Sequence, residues 1–213
     1  MMDSKKVCLI VGAGDLDGAV LRRRSSDFVI AADGGMKYLA EAGMTADLVV
    51  GDFDSLGYRP EHPNIIYHPP EKDDTDTMLA VKEGFSRGFR IFLIYAGLGG
   101  RLDHTVANMQ TLSYIAEHGG RGYLVGGSSV CTVIKDGEAV FDAANSGMIS
   151  VFCNGETAEG VSISGLKYEV ENVELGSDFP LGASNEFKGK KAVVSVKKGR
   201  LLIIWQQREF YPV

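Results

Sequence analysis

The chain has 213 residues, of which 45% are hydrophobic and 23% are charged, a composition typical of a globular protein with one large domain or two small ones. Its net charge of −6 and its pI near 5.3 argue against a nucleic-acid partner, because a surface that binds nucleic acid concentrates basic side chains. The basic run Arg22-Arg23-Arg24 lies among polar residues, and this setting predicts a solvated helix end.

The cysteines indicate a reducing compartment. Cys8, Cys131 and Cys153 lie in apolar, strand-like runs, and the sequence contains no C-x-x-C pair. This pattern predicts buried, reduced thiols rather than a zinc site or a disulfide framework. The first residues lead into an apolar run too short for a signal peptide or a membrane span. We therefore expect a cytoplasmic protein with no membrane partner.

Apolar runs alternate with helical patterns along the first half of the chain. A run that ends at glycine or acidic residues is typical of a buried parallel strand entering a loop. Strands that alternate with helices predict a parallel sheet, and such sheets bind ligands beyond the carboxyl ends of their strands. The predicted strands are Val7–Val11, Phe28–Ala32, Leu48–Val50, Asn64–Tyr67, Ile91–Tyr95 and Tyr123–Val125.

From about Ser128 onward the pattern changes to short alternating apolar runs separated by glycine and asparagine, which predicts an all-β region. The segment Lys197-Lys198-Gly199-Arg200 predicts a tight hairpin turn between the last two strands. Trp205, at the end of an apolar run, is predicted to lie in the core. The candidate strands are Ala139–Phe141, Met148–Phe152, Val161–Ile163, Val173–Leu175, Ala192–Val196 and Leu201–Trp205.

The pair Asp52 and Asp54 directly follows one of the predicted strands. In extended backbone, side chains two residues apart point the same way. At ~6 Å and an effective dielectric of ~20, the repulsion of two carboxylates costs about 3 kcal/mol, and a shared divalent cation would reverse it. Ligands that are all oxygen suggest magnesium. The alternative is that Asp52 caps a helix and Asp54 lies in a turn.

Acidic residues follow several predicted strands, and this recurrence favours a common site over separate helix caps. They are Asp33, the pair Asp52 and Asp54, the pair Asp73 and Asp76, and Asp103.

Three interpretations of these residues compete. Gly12 and Gly14, followed by Asp33, resemble a dinucleotide-binding fingerprint, although the third glycine, Gly18, is one place late. The Asp52-x-Asp54 pair also resembles the phosphohydrolases that form an aspartyl phosphate.

In the third interpretation, the acids bind magnesium and orient the phosphates of a nucleoside triphosphate. Lys72 and Arg101 would then neutralise phosphate charge. This interpretation uses every acidic cluster.

The chain resembles the thiamin pyrophosphokinase family over nearly its whole length. The resemblance rests on the order of four motifs and on Ser184-Asn185 in the second half. The motifs are Ala32-Asp33-Gly34-Gly35, Gly51-Asp52-Phe53-Asp54-Ser55, Lys72-Asp73-Asp74-Thr75-Asp76 and Gly99-Gly100-Arg101-Leu102-Asp103-His104.

The resemblance implies a fold that combines an α/β domain with an all-β domain. Residues 1–127 would form a doubly wound, mainly parallel sheet domain that holds Mg-ATP and carries catalysis. Residues 128–213 would form a β-sandwich domain that binds thiamine and mediates dimerisation. The expected partners are ATP and thiamine, the expected assembly is a homodimer, and thiamine would lie at the junction of these parts.

The resemblance also implies roles for single residues. Magnesium would be bound by Asp52, Asp54 and Asp76. The nucleotide would be bound by Asp33, Gly34, Lys72, Thr75, Arg101 and His104. The reacting centre would contain Asp73, Asp76, Arg101 and Asp103, and the general base would be Asp73, Asp76 or Asp103. Ser184 and Asn185 would contact the thiamine pyrimidine.

The expected reaction is attack of the thiamine hydroxyl on the β-phosphorus of ATP, which releases AMP and thiamine diphosphate. The absence of a G-x-x-x-x-G-K-[ST] loop in the sequence favours this attack over ordinary γ-phosphoryl transfer. The alternatives are a Mg-dependent phosphohydrolase that uses the Asp52-x-Asp54 loop and a non-enzymatic nucleotide sensor. No role is predicted for Tyr168.

Overall fold

The computed structural model describes residues 6–54, 57–58, 60–69 and 71–212, so Ser55 of the predicted Asp52-x-Asp54 motif lies outside the described residues. The described residues form two compact units. One contains the chain up to Gly127 together with the chain from Glu209 onward, and the other is Ser128–Arg208. The predicted second domain ran to the end of the chain, whereas the last residues cluster with the first unit.

The first unit is an α/β unit, as the alternating pattern predicts. Its described strands pair in the order β6-β5-β1-β2-β3-β4, and every pair is parallel. The strands are β1 (Val7–Val11), β2 (Phe28–Ala32), β3 (Leu48–Gly51), β4 (Ile65–Tyr67), β5 (Ile91–Tyr95) and β6 (Arg121–Gly126), and the helices are α1 (Gly35–Glu41), α2 (Asp76–Ser86) and α3 (Leu102–Glu117).

The strand order places a topological switch point between β1 and β5. From β1 the chain moves outward through β2, β3 and β4, and then returns to the other side of β1 with β5 and β6. The central strands consist of apolar residues that are almost completely buried, which is the pattern of a parallel sheet covered on both faces. Open parallel sheets bind ligands at such a switch point, beyond the carboxyl ends of the strands.

The second unit is all-β in its described residues, as predicted. Its strands form two antiparallel sheets, ordered β12-β9-β14-β7 and β11-β10-β13-β8. The strands are β7 (Ser129–Lys135), β8 (Glu138–Phe141), β9 (Met148–Cys153), β10 (Thr157–Ser164), β11 (Val170–Gly176), β12 (Asn185–Glu186), β13 (Ala192–Ser195) and β14 (Arg200–Gln206).

The two sheets of the second unit contribute to one core. Phe141 of β8 packs edge-on against Trp205 of β14, with ring centroids 5.3 Å apart. Trp205 is 3% exposed, which confirms its predicted place in the core.

Two local predictions are wrong. Arg22-Arg23-Arg24 is not a helix end, because it lies in the loop between β1 and β2. Lys197–Arg200 does not close a hairpin, because β13 and β14 pair within different sheets. Lys198 instead forms an antiparallel bridge with Glu159 of β10, so the connection is bound to a third strand.

The cysteines are free, and Cys8 and Cys131 are buried, as predicted, whereas the prediction that Cys153 is buried is wrong, because its side chain is partly exposed. Among the described residues, no helix is both long enough and apolar enough to cross a membrane.

Candidate active site

Two acidic loops meet at the carboxyl edge of the parallel sheet. Asp33 follows β2 and Asp52 follows β3, and the register of these neighbouring strands pairs Ala32 with Val50. The Asp33 amide donates to the Val50 carbonyl oxygen at 2.8 Å. A Cβ atom at Gly51 would lie 3.1 Å from the Asp33 backbone, so this glycine allows the two loops to approach each other closely.

Three carboxylates from separate segments converge there. Asp33, Asp52 and Asp76 each place one oxygen within 4.8 Å of the oxygens of the other two. Asp33 is 8% exposed, and its Oδ1 atom accepts no hydrogen bond from any described residue. A buried carboxylate oxygen without a donor is costly unless a cation compensates it.

Lys72 supplies positive charge to this cluster. Its Nζ atom lies 2.7 Å from Asp52 Oδ2 and 2.8 Å from Asp76 Oδ1. The contact with Asp52 is a hydrogen bond, whereas the approach to Asp76 is an ion pair without hydrogen-bond direction. Lys72 is therefore the cation that the cluster contains in this structure.

The pKa values of the two carboxylates that contact Lys72 shift in opposite directions. The hydrogen bond from Lys72 lowers the pKa of Asp52. Burial raises the pKa of Asp76, and the like charges of Asp52 and Asp33 act in the same direction. In Asp52 the hydrogen bond from Lys72 outweighs the effect of burial, whereas in Asp76 the effect of burial outweighs the interaction with Lys72. Burial acts to lower the pKa of Lys72, but the interactions with the Asp52 and Asp76 carboxylates outweigh it and raise that pKa.

The donor set fits a hard divalent cation. The ligand atoms are carboxylate oxygens, and Asp33 Oδ1 has no hydrogen-bond partner among the described residues. The Lys72 ammonium beside them shows that the cluster favours positive charge. Magnesium is bound in proteins by one or two carboxylates together with water and substrate phosphates, so the cluster has suitable chemistry for this ion.

Asp54 is not part of this cluster. Phe53 has a φ of 65° and is buried, so the backbone between the two acids is not extended and the expected common direction of Asp52 and Asp54 does not hold. Asp54 is exposed, and its amide donates to Asp52 Oδ1 at 3.1 Å. Asp33, which was expected at the nucleotide, takes the third position in the cluster.

The segment before α2 divides its polar residues between structure and site. Thr75 caps the helix, because its Oγ1 atom accepts a hydrogen bond from the Met78 amide at 3.2 Å. Asp76 lies in the first turn, where the helix dipole favours a carboxylate. Asp73 is exposed and forms no ion pair among the described residues.

The segment before α3 presents an exposed ion pair. Arg101 donates to Asp103 from Nη2 at 2.6 Å and from Nε at 3.2 Å, and their side chains are 71% and 64% exposed. The hydrogen bond lowers the pKa of Asp103 and raises that of Arg101. Exposed pairs contribute little stability, so a phosphate can displace Asp103 at small cost. His104 is exposed in the first turn of the same helix.

Two glycine-rich loops lie beside each other next to the switch point. The Gly14 amide donates to the Ala96 carbonyl oxygen at 3.1 Å, directly before the glycines that follow β5. A Cβ atom at Gly99 would lie 3.9 Å from the Cβ atom of Asp15. Gly34 is the residue before α1, and a Cβ atom at the next residue, Gly35, would collide with the Val11 carbonyl.

In the second unit, Asn185 is committed to a neighbouring backbone. It is 4% exposed; its Nδ2 donates to the Tyr168 carbonyl at 2.7 Å, and its Oδ1 accepts from the Tyr168 amide at 2.9 Å. Tyr168 itself is 60% exposed. Ser184 is also exposed, and its amide donates to Ser150 Oγ at 3.1 Å. We call the two hydrogen bonds between the Asn185 side chain and the Tyr168 backbone the Asn185–Tyr168 clamp. No sequence pattern predicted it, because the two residues are far apart along the chain.

The chain matches two family models in order along its length. Residues 22–123 match "Thiamin pyrophosphokinase, catalytic domain", and residues 139–201 match "Thiamin pyrophosphokinase, vitamin B1 binding domain". A protein named thiamine pyrophosphokinase from Bacillus subtilis (strain 168) is 27% identical over 182 residues, which cover 82% of this chain and 85% of that protein.

Solved structures show the same fold. The crystal structure of thiamine pyrophosphokinase from Bacillus subtilis superposes with a TM-score of 0.84 at 24% identity, covering 96% of this chain and 100% of that one. A thiamin pyrophosphokinase family protein from Enterococcus faecalis superposes with a TM-score of 0.80 at 27% identity, covering 97% of this chain and 100% of that one.

Proposed function

Because the chain belongs to the thiamin pyrophosphokinase family, we propose that it transfers the pyrophosphoryl group of ATP to the hydroxyl of thiamine and releases AMP. The observation that carries this proposal is the ordered match to both family models, one for catalysis and one for vitamin B1 binding. The first unit would hold the nucleotide, and the second would hold thiamine and mediate dimerisation.

Magnesium would be held by Asp33, Asp52 and Asp76. When bound, the ion neutralises phosphate charge and stabilises the charge that develops during transfer. Asp54, predicted as a ligand, would act on this group through its amide, which fixes Asp52 Oδ1.

The phosphates of ATP would be bound by the cations at the carboxyl edge. Lys72 is fixed between two carboxylates, whereas Arg101 is held by a single exposed partner and is free to turn toward a phosphate. His104 and the amides at the start of α3 would add donors. Gly34 and the other glycines of the neighbouring loops would allow close approach of the backbone, while Thr75 would shape the site by capping α2.

The reaction forms a bond between the thiamine hydroxyl oxygen and the β-phosphorus of ATP. It breaks the bond between the β-phosphorus and the oxygen that bridges it to the α-phosphorus, and this oxygen leaves with AMP. The hydroxyl proton passes to a base. Among the three predicted bases, Asp76 and Asp103 carry cationic partners, whereas Asp73 forms no ion pair among the described residues. We assign the base to Asp73 on this ground. Positioning and charge neutralisation would supply most of the rate.

Thiamine would be bound through the second unit by Ser184 and Tyr168. Asn185 would be a positioning residue, because the described hydrogen bonds of its side chain are to backbone groups of Tyr168 and Glu186. Exposed apolar side chains on the same unit, Phe179 at 66% and Leu181 at 55%, support burial against a second copy of the chain. The finer description of the fold that we propose is a doubly wound first unit and a sandwich of the two sheets in the second.

A cytoplasmic location is supported by the free cysteines. The test of the function is chromatography of a reaction that contains Mg-ATP and thiamine. AMP and thiamine diphosphate should rise together in equal amounts. ADP that accumulates with thiamine monophosphate, or ATP consumption that is indifferent to thiamine, would contradict the proposal.

A further inference from the structure

The last residues of the chain dock on one loop of the first unit. Glu209 and Tyr211 contact this loop through their side chains, whereas the Phe210 ring packs against Tyr123 of β6. Pro212 is buried. We call Glu209–Pro212 the tail.

Three interactions connect Asp27, Arg24 and Tyr211 where the tail contacts the loop between β1 and β2. The Tyr211 hydroxyl donates to Asp27 Oδ1 at 2.6 Å, and the Arg24 amide donates to Asp27 Oδ2 at 2.7 Å. The Arg24 guanidinium lies over the Tyr211 ring, 4.1 Å from its centroid. Asp27 is 4% exposed, so loss of a donor would leave a buried carboxylate oxygen without a hydrogen-bond partner.

The basic run Arg22-Arg23-Arg24, which has no role in the proposed function, binds the tail. Arg22 pairs with Glu209 at 2.7 Å, and Arg24 stacks on Tyr211. Arg23 points to a different partner, since it donates to the Thr45 carbonyl and pairs with Asp47 at 3.3 Å. The run is therefore tied to the tail at two residues and to the segment before β3 at the residue between them.

The loop that the tail holds has no regular structure of its own. Residues 12–27 connect two neighbouring parallel strands, a connection that usually contains a helix, but here they form neither helix nor strand. Without an internal ladder of hydrogen bonds, the loop depends on contacts made by other segments. Because β1 and β2 are parallel, the loop begins at the carboxyl edge of the sheet and ends at the amino edge.

The beginning of this loop lies where the nucleotide is proposed to bind. Gly12 and Gly14 donate to the carbonyl oxygens of Tyr95 and Ala96 at 2.9 and 3.1 Å, beside the switch point. Tyr38 adds a third contact at this end, because its hydroxyl donates to the Gly14 carbonyl at 2.7 Å. The tail supplies the corresponding contacts at the other end.

We propose that the tail is a latch that holds the loop 12–27 at its Arg22–Asp27 end and thereby positions Gly12–Asp15 beside the nucleotide. Tyr211 is the central positioning residue. The part of this inference that concerns the nucleotide rests on the proposed function, whereas the part that concerns the loop does not.

The test uses the whole 213-residue chain with Tyr211→Phe, which removes the hydroxyl and keeps the ring. Loss of a hydrogen bond to a buried carboxylate should speed amide hydrogen exchange in residues 12–27 by about tenfold, measured by mass spectrometry. The dissociation constant for Mg-ATP should rise by about threefold or more, while kcat stays within about twofold. Glu209→Gln, a change at a side chain that is 69% exposed, should shift the same two readouts by smaller amounts.

Tyr114→Phe and Glu171→Gln are the matched controls, and we expect both readouts to stay at wild-type values in them. Unchanged exchange in Tyr211→Phe would overturn the latch. Faster exchange with unchanged nucleotide affinity would overturn its link to the site. If the wild-type protein binds no ATP, the proposed function fails, and the exchange experiment alone then decides whether the tail holds the loop.

Discussion

The Lys72 ammonium donates to Asp52 at 2.7 Å, which places a fixed positive charge inside a cluster of three carboxylates. In the proposed site this ammonium and a divalent cation share the same oxygens. They compete until the phosphates of ATP add negative charge.

Replacing Lys72 should separate its competition with magnesium from its contact with the phosphates of ATP. In Lys72→Met, magnesium affinity of the protein without nucleotide should rise, because a competing cation has been removed. Turnover should fall by about 100-fold or more, because a phosphate contact has been lost. Calorimetry with magnesium alone and a rate assay measure the two quantities. Weaker magnesium binding in this variant would mean that Lys72 and the metal do not share a site.

Removing a carboxylate should have the opposite effect on metal binding. Asp52→Asn and Asp76→Asn should each lower magnesium affinity and reduce turnover by about 100-fold, with the fold retained. Asp74→Asn is the matched control, since Asp74 pairs with Lys82 instead of joining the cluster. Near wild-type activity of Asp52→Asn or Asp76→Asn at saturating magnesium would refute the shared-cation site.

Acid-quenched mass spectrometry tests the phosphohydrolase alternative. Direct transfer to thiamine leaves the protein unmodified during turnover, whereas an aspartyl-phosphate mechanism labels Asp52. Covalent phosphate on Asp52 would favour the phosphohydrolase.

The clamp between Asn185 and Tyr168 predicts a split in the kinetic constants. Asn185→Ala leaves the Tyr168 amide and carbonyl without their partner, which should cost about 1–3 kcal/mol of unfolding free energy. The KM for thiamine should rise, while the dissociation constant for Mg-ATP should not change. Thermal unfolding and steady-state rates with each substrate varied provide the measurements. A larger effect on ATP than on thiamine would argue against a thiamine site near Tyr168.

Thiol reactivity should follow burial. Burial raises the pKa of Cys131 to about 12 and also raises that of Cys8, so both stay protonated well above neutral pH. Cys153 is more exposed, and although burial raises its pKa, nearby Arg200 opposes the shift. Because only the thiolate reacts, iodoacetamide at pH 8 should label Cys153 first, and faster as pH rises. Peptide mass spectrometry would show this, and early labelling of Cys8 would contradict the buried strand.

The glycine before α1 gives a stability prediction. Gly35→Ala places a Cβ atom into the Val11 carbonyl, a backbone contact that cannot move aside, so we expect a loss of about 2–4 kcal/mol. Gly137→Ala meets its nearest atom at 3.3 Å and serves as the control, with a much smaller loss expected. Denaturant unfolding compares the two.

Much of the architecture could be predicted from local patterns. Apolar runs that end in glycine or acid mark parallel strands, and parallel strands place their carboxyl ends on one edge of a sheet. For this reason the recurrence of acidic residues after the strands predicted one site for all of them, and Asp33, Asp52 and Asp76 do lie together, although the same reasoning also included Asp54, Asp73 and Asp103. The change of pattern near Ser128 likewise predicted the all-β unit, because strand and helix periodicity are properties of short segments.

Tertiary structure alone decided which atoms meet. Asp33 rather than Asp54 completes the cluster because Phe53 is buried in a left-handed conformation, which turns the backbone between Asp52 and Asp54. No local pattern specifies that β13 and β14, which are neighbours in sequence, belong to different sheets. Nor does one specify that Tyr211 donates to Asp27, which is distant from it in sequence. Periodicity determines which face of an element is apolar, but the contacts between elements depend on how the whole chain packs.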